Sequence, residues 1–142
     1  MIMEPIKLTY TVDAGDMTAA GNASSQMKIA LRKLGFSPDI IRRAAICMYE
    51  GEINMVIHAN GGEANVFITL DEITICLKDV GPGIPDVEKA MSEGWSTASD
   101  AARNLGFGAG MGLPNMKRCS DEMYIDTVIG AGTTVTMKIK AA

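Results

Sequence analysis

Glu50 and Asn54 stand four residues apart in a segment otherwise dominated by Ile40, Ile41, Ala44, Ala45, Ile46, Met48, Ile53, Val56 and Ile57. On a helix that spacing puts the carboxylate and the amide on one face. Neither group can be buried without partners except at a large free-energy cost. The pair therefore either faces solvent or lines a site. His58, four residues further, extends the same stripe. A lone histidine near a helix end is ordinarily a cap or a satisfied structural side chain.

A second constellation is Asp79 with Gly81-Pro82-Gly83 behind it. An apolar run, Ile73-Thr74-Ile75-Cys76-Leu77, delivers the aspartate to the end of a strand. The two glycines then let the backbone approach a neighbour closely. One reading is a turn with a capping aspartate; the other is a carboxylate at the mouth of a pocket for a flat ligand. The third constellation is Gly106-Phe107-Gly108-Ala109-Gly110-Met111-Gly112, running into Leu113-Pro114. Glycines at a spacing of two can turn successive N–H groups inward as an anion nest, and a following helix start adds its dipole. This pattern favours phosphate over a plain hinge. It is not a P-loop, since no Gly-Lys-Ser/Thr follows, and it is not the dinucleotide fingerprint, since residue 113 is leucine and no strand precedes it. Gly130-Ala131-Gly132-Thr133-Thr134, taken alone, is a glycine hairpin entering a β-branched strand.

The elements that must carry these groups follow from periodicity and punctuation. Ile6 to Val12 alternates as a half-buried strand. A helix starts within 13–21 and runs to Leu34, with Met27, Ile29, Ala30, Leu31 and Leu34 as core candidates and Gly35 as its stop. Ser37 as N-cap and Pro38 at the first position open a second helix reaching about His58. Strands are expected over 64–70 and 72–80. A short helix over 86–91, a loop over 92–112 and a helix over 113–121 come next. A hairpin over 122–128 and 133–140 closes the chain. Strands in runs rather than strict βα alternation predict an α+β fold, with helices on one face of a mixed or antiparallel sheet.

Composition bounds the function. The chain has 142 residues, 47% hydrophobic with only 5% aromatic, so one aliphatic core in a single domain over 1–142 is expected. The net charge of −4 speaks against a nucleic-acid partner. The pairs Arg32 and Lys33, Arg42 and Arg43, and Lys117 and Arg118 read as solvated helix faces. Cys47, Cys76 and Cys119 form no CxxC pair and read as reduced, partly buried thiols of a cytoplasmic protein. The first residues carry Glu4 and Pro5 and no apolar core, so no secretory signal is expected. No apolar run approaches membrane-spanning length. Seven of the fifteen glycines fall between Gly81 and Gly112, which points to close backbone approach to some ligand.

Glu50-x-x-x-Asn54, Asp79-x-Gly81-x-Gly83, the 106–112 run and Gly130-x-Gly132-Thr133 occur in this order in the GHKL ATPases, the superfamily of gyrase, Hsp90, histidine kinases and MutL. The chain resembles that superfamily over residues 50 to 134. Gly81-Pro82-Gly83-Ile84-Pro85-Asp86, Gly94-Trp95-Ser96-Thr97, Gly112-Leu113-Pro114 and the ending Gly132-Thr133-Thr134-Val135-Thr136-Met137 are similar to the stand-alone anti-sigma-factor serine/threonine kinases of bacterial partner-switching systems, above all the switch kinases acting on STAS-domain proteins. A histidine kinase would carry its own phosphoacceptor histidine and a dimerising helix pair, whereas the single histidine here lies inside the Glu50–Asn54 helix.

The resemblance implies the Bergerat fold, a two-layer α/β sandwich with a mixed, mainly antiparallel sheet and helices on one face. It implies ATP and Mg²⁺. Asp79 would accept the adenine amino group, with Thr133 supporting it through water and Gly81 and Gly83 closing on the base. Asn54 would ligate Mg²⁺. Residues Gly106 through Gly112, including Phe107, Ala109 and Met111, would present N–H groups to the phosphates. Glu50 would be the general base toward a Ser or Thr hydroxyl of a STAS-domain partner, and residues 92–106 would form a lid. A sigma factor or downstream regulator is a further implied partner, and a homodimer is compatible with the family. Three features depart from the pattern: Gly51 inside the helix, Glu52 as a second acid that could serve another base role, and Asp100-Ala101-Ala102-Arg103-Asn104, which lengthens the lid. A different class of function stays open, an ATP-gated binding module that sequesters a regulator without phosphotransfer. A bare structural domain would need separate explanations for Glu50, Asn54 and Asp79.

Overall fold

The computed structural model describes residues 5–13, 21–58, 60–84, 86–91 and 112–141, without the side chains of 57 and 58. The elements are β1 (Ile6–Val12), α1 (Asn22–Lys33), α2 (Pro38–His58), β2 (Gly62–Ile68), β3 (Glu72–Asp79), α3 (Val87–Ala90), α4 (Gly112–Cys119), β4 (Glu122–Val128) and β5 (Gly132–Lys140). The strands form one sheet in the order β1-β2-β3-β5-β4. All four pairings are antiparallel, so no parallel pair of a mixed sheet occurs among the described strands. Two of these pairings, β2–β3 and β4–β5, are hairpins, for which antiparallel is the only short connection.

One sheet face is apolar because alternate residues share it. Ile75 lies between Val66 and Met137, Ile73 opposite Ile68 and Ile139, and Leu77 opposite Ala64 and Val135. All of these are buried. Helix α2 crosses this face over β3 and β5, and α1 and α4 pack on α2. The opposite face, with Thr74, Cys76, Asn65 and Thr136, is only half-buried. The result is the expected α+β arrangement of helices on one side of a sheet.

Several local expectations shift. Met27 and Leu31 are fully buried, but Ile29 and Leu34 are 51% and 44% exposed. The buried stripe of α1 is Ala23, Met27 and Leu31 at a spacing of four, which turns Ile29 outward; Leu34 is the C-cap. Helix α1 begins at Asn22, just past the stretch in which its start was expected. Ser37 Oγ accepts from Ile40 N at 3.3 Å, as an N-cap should. Strand β2 runs two residues earlier than the sequence predicts, because the Thr69 hydroxyl accepts from Asp71 N and Glu72 N and closes a turn there. Helix α4 starts at Gly112 and ends at Cys119. The lid over 92–106 and the glycines from Gly106 to Gly110 lie outside the described residues.

Gly51 has a packing cause. A Cβ there would run into Leu77 Cδ1 of β3, so the glycine lets α2 lie directly on the sheet. The three cysteines are free thiols. Cys47 is fully buried, donates to the Met116 carbonyl at 3.6 Å, and burial pushes its thiol up to about 12. Arg43 is not a solvated charge. Its Nε donates to the Cys119 carbonyl at 3.0 Å and it pairs with Asp121 at 3.1 Å. Among the described residues no helix is long and apolar enough to cross a membrane.

Candidate functional site

Helix α2 and helix α4 meet along a ladder of four contacts. Arg43 reaches the carbonyl of Cys119, Cys47 that of Met116, and Glu50 Oε1 accepts from Asn115 Nδ2 at 3.3 Å. At the last rung Asn54 meets Gly112, where an added Cβ would lie 3.1 Å from Oδ1 and 3.2 Å from Nδ2. The same Cβ would stand 3.4 Å from Glu50 Oε2. The helices run antiparallel, so the α2 spacing of 43, 47, 50 and 54 matches 119, 116, 115 and 112 on α4. The structure thus brings Glu50, Asn54 and Gly112 together. Gly112 begins α4, and the exposed N–H groups of a helix start attract anions. A carboxylate, a carboxamide and a helix start converge there, and glycine is the residue that lets them approach.

Glu52, two residues from Glu50, points the other way. It is 3% exposed. Its Oε2 accepts from Gly21 N at 3.0 Å and Ala23 N at 3.1 Å, and its Oε1 from Ser24 N at 3.0 Å. It caps the first turn of α1, which has no side-chain cap of its own. The carboxylate is committed to three N–H groups, so it does not serve as a second base.

A second cluster forms where β3 ends beside the β4–β5 hairpin. Asp79 Oδ1 accepts from Thr133 N at 2.8 Å. Burial raises the Asp79 carboxyl above its ordinary value, and the Thr133 N–H only partly offsets this. Gly132 takes φ +140, and a Cβ there would collide with the Asp79 carbonyl. Gly83 takes φ +80, and a Cβ would lie 2.7 Å from the Val128 carbonyl. Both positions need glycine for conformation and for space. Gly81 is buried in the turn after β3. The Thr133 hydroxyl lies 2.9 Å from the Thr127 hydroxyl, which accepts from Ile84 N at 2.9 Å. Thr127 thereby ties the loop after Asp79 to the hairpin. The two clusters are held in register by the α2–β2 turn, where Asn60 N donates to the Val80 carbonyl at 2.8 Å and Val80 N to the Gly61 carbonyl at 3.2 Å.

Of the residues singled out in the sequence, Glu50, Asn54 and Gly112 form one cluster and Asp79, Gly81, Gly83 and Thr133 the other. Gly106, Phe107, Gly108, Ala109, Gly110 and Met111 lie outside the described residues, as does the His58 side chain. Two contributors escaped the sequence reading. Thr127 faces Thr133 across the hairpin, a pairing that the β4–β5 register would have disclosed. Asn115, three residues after Gly112, shares its helix face. The residues present suit a nucleotide: at Gly112 a helix start meets an amide oxygen and a carboxylate, and a second carboxylate stands at the end of β3.

The chain is similar to known proteins in sequence and in fold. Residues 41–142 match the family of histidine kinase-, DNA gyrase B-, and HSP90-like ATPases. The chain is 32% identical over 108 residues to the serine/threonine-protein kinase RsbT of Bacillus subtilis (strain 168), covering 73% of this chain and 75% of that protein. It is 37% identical over 93 residues to the anti-sigma F factor of Caldanaerobacter subterraneus subsp. tengcongensis, covering 62% of each chain. The crystal structure of the RsbU and RsbW domains of Rv1364c from Mycobacterium tuberculosis superposes with a TM-score of 0.61 at 19% identity, covering 94% of this chain and 32% of that one; at that identity the likeness is one of fold. With Glu50, Asn54 and Asp79 placed as described, the chain belongs to the histidine kinase-, DNA gyrase B- and HSP90-like ATPase family.

Proposed function

We propose that the protein is a serine/threonine protein kinase of a bacterial partner-switching system, using Mg·ATP and acting on a STAS-domain protein in the cytoplasm as a single domain over 1–142. The observation that carries this reading is the meeting of Glu50, Asn54 and the start of α4 at Gly112. A site that only bound nucleotide would have little use for a carboxylate there.

Asp79 accepts the adenine amino group, with Thr133 N–H holding the carboxylate in place and Gly81 and Gly83 admitting the base. The Asn54 amide oxygen is the residue to hold Mg²⁺, which when bound would neutralise phosphate charge. The start of α4 would face the phosphates. The run Gly106–Met111 is assigned to them on sequence alone. Glu50 accepts the proton of the attacking hydroxyl while that oxygen bonds to the γ-phosphorus and the bond to the ADP oxygen breaks. The rest of the catalysis is positioning and charge stabilisation.

The test is transfer of label from Mg·ATP to STAS-domain proteins of the same organism. Glu50→Gln is expected to lower transfer by roughly 100-fold or more with ATP binding retained. An ATP-gated module that sequesters a sigma factor or another regulator is the second reading, motivated by the likeness to an anti-sigma F factor. Tight ATP binding with no transfer to any candidate would decide for that module.

A further inference from the structure

Asn115 sits half-buried on α4, facing α2, between Glu50 on one side and Arg118 on the other. Its Nδ2 lies 3.3 Å from Glu50 Oε1, and its Oδ1 lies 2.6 Å from Arg118 Nη2. The two neighbours leave only one orientation for the amide. A guanidinium only donates, so the atom facing Arg118 must be the oxygen. An ionised carboxylate only accepts, so the atom facing Glu50 must be the nitrogen. The spacing of three residues makes Asn115 a neighbour of Gly112 on one side and of the exposed Arg118 on the other. Toward the C-terminal end of α4, Arg43 holds the Cys119 carbonyl and Cys47 that of Met116, so Asn115 presents its donor from a helix tied to α2.

Glu50 therefore has inequivalent oxygens. Oε1 is held by the Asn115 amide, and Oε2 lies toward Gly112, where the nucleotide phosphates would lie. A carboxylate free to rotate would present either oxygen at variable distance, and small misplacements of a catalytic group are costly. The guanidinium also polarises the amide, which strengthens the hydrogen bond that amide donates.

We propose that Asn115 is a positioning residue for phosphotransfer: its amide, oriented by Arg118, holds Glu50 Oε1 so that Oε2 is directed at the attacking hydroxyl. This rests on Glu50 being the general base. Asn115 touches no reacting atom and acts through Glu50.

The experiment combines kinetics with a stability cycle. Labelled Mg·ATP, with water as acceptor, is the probe of turnover. Asn115→Asp keeps the side-chain shape and the partner for Arg118 but replaces the donor facing Glu50 with a second carboxylate. It is expected to lower kcat about 10-fold or more with KM for ATP within about twofold. Arg118→Met, a change on an exposed residue, is expected to lower kcat in the same direction by a smaller factor. Thermal melts of Glu50→Gln, Asn115→Asp and the double variant test the contact without activity. In the double variant donor and acceptor are exchanged, so the melting temperature should recover above the sum of the single effects. Additive melting shifts, or an unchanged kcat in Asn115→Asp beside an impaired Glu50→Gln, would overturn the proposal. If Glu50→Gln itself turns over normally, the base reading fails and the catalytic role of Asn115 falls with it, while the stability cycle still reports the contact.

Discussion

The carboxylate of Glu52 accepts the backbone N–H of Ser24 at 3.0 Å, across 28 positions of sequence, and so caps a helix to which it does not belong. Gly21 and Ala23 donate to the same group. A buried carboxylate at a helix N-terminus gains from both the hydrogen bonds and the dipole. Helix α2 thus bears two acids with opposite duties: Glu52 fastens α1 to it, and Glu50 faces α4.

Glu52→Gln should test that division. The amide can accept from only one side, so at least one N–H of the α1 start loses its partner. A loss of about 1–3 kcal/mol is expected, which in a chain of this size lowers Tm by several degrees. Glu50→Gln should leave Tm nearly unchanged and remove turnover. Thermal melts of both variants side by side measure the contrast, and equal destabilisation would contradict it.

Gly112→Ala separates helix stability from ligand fit. The ~1 kcal/mol advantage of alanine over glycine belongs to helix interiors, and Gly112 is the first residue of α4, so Tm should stay nearly unchanged. The added Cβ, however, would press on the Asn54 amide at 3.1 Å and 3.2 Å. The amide must move by a few tenths of an ångström. Titration calorimetry with Mg·ATP is expected to show roughly 10-fold weaker binding. Unaltered affinity would mean that Asn54 does not work from the position described.

Much of this was legible in the residues. The order of elements follows from alternation and caps, and the α2 stripe of Glu50 and Asn54 is visible from spacing alone. Asp79 was visible too, as a charge at the end of an apolar strand. What local pattern could not show was direction across elements. Helix phase sets Glu52 away from Glu50, but what it holds is invisible until α1 is docked on α2. Arg43 reads as a surface charge until α4 arrives with the Cys119 carbonyl and Asp121. Thr127 and Asn115 are ordinary polar residues until the hairpin register and the α2–α4 ladder give them partners. Ile29 and Leu34 have the hydrophobicity of core residues, but the helical period turns Ile29 away from Met27 and Leu31, and Leu34 lies past the last turn as the C-cap.

Gly51 is the position where propensity and packing disagree. Gly51→Ala would gain up to ~1 kcal/mol of helix propensity. Its methyl would collide with Leu77 in the closest part of the α2–β3 contact. Overpacking costs about 1–3 kcal/mol, so the net effect is expected to be a loss of stability. A denaturant melt of the variant measures the sign; a gain would show that Leu77 can turn aside.

Asp79 joins stability and nucleotide binding through one carboxyl. Burial raises its proton affinity in the folded state, and the Thr133 N–H only partly restores the ionised form. The folded protein therefore holds this proton more tightly than the unfolded chain, where the group titrates near its ordinary value of about 3.9. Its favourable contribution is complete below that value and is lost as pH rises through the raised folded value. Asp79→Asn is neutral at every pH and can still accept from Thr133 through Oδ1. Stability of the variant relative to the parent should thus grow as pH rises from about 3.5 to 7, which thermal melts across that range would measure. ATP binding should move the other way. With Oδ1 held by Thr133, the second atom of the new amide is an NH₂ group, a donor turned toward the adenine amino donor. Affinity at pH 7 is expected to fall about 10-fold or more. In the parent protein ATP affinity should weaken on acidification at a higher pH than an ordinary carboxylate would require. Retained affinity in Asp79→Asn at pH 7 would remove adenine recognition from this residue and leave it only the fastening of the β4–β5 hairpin.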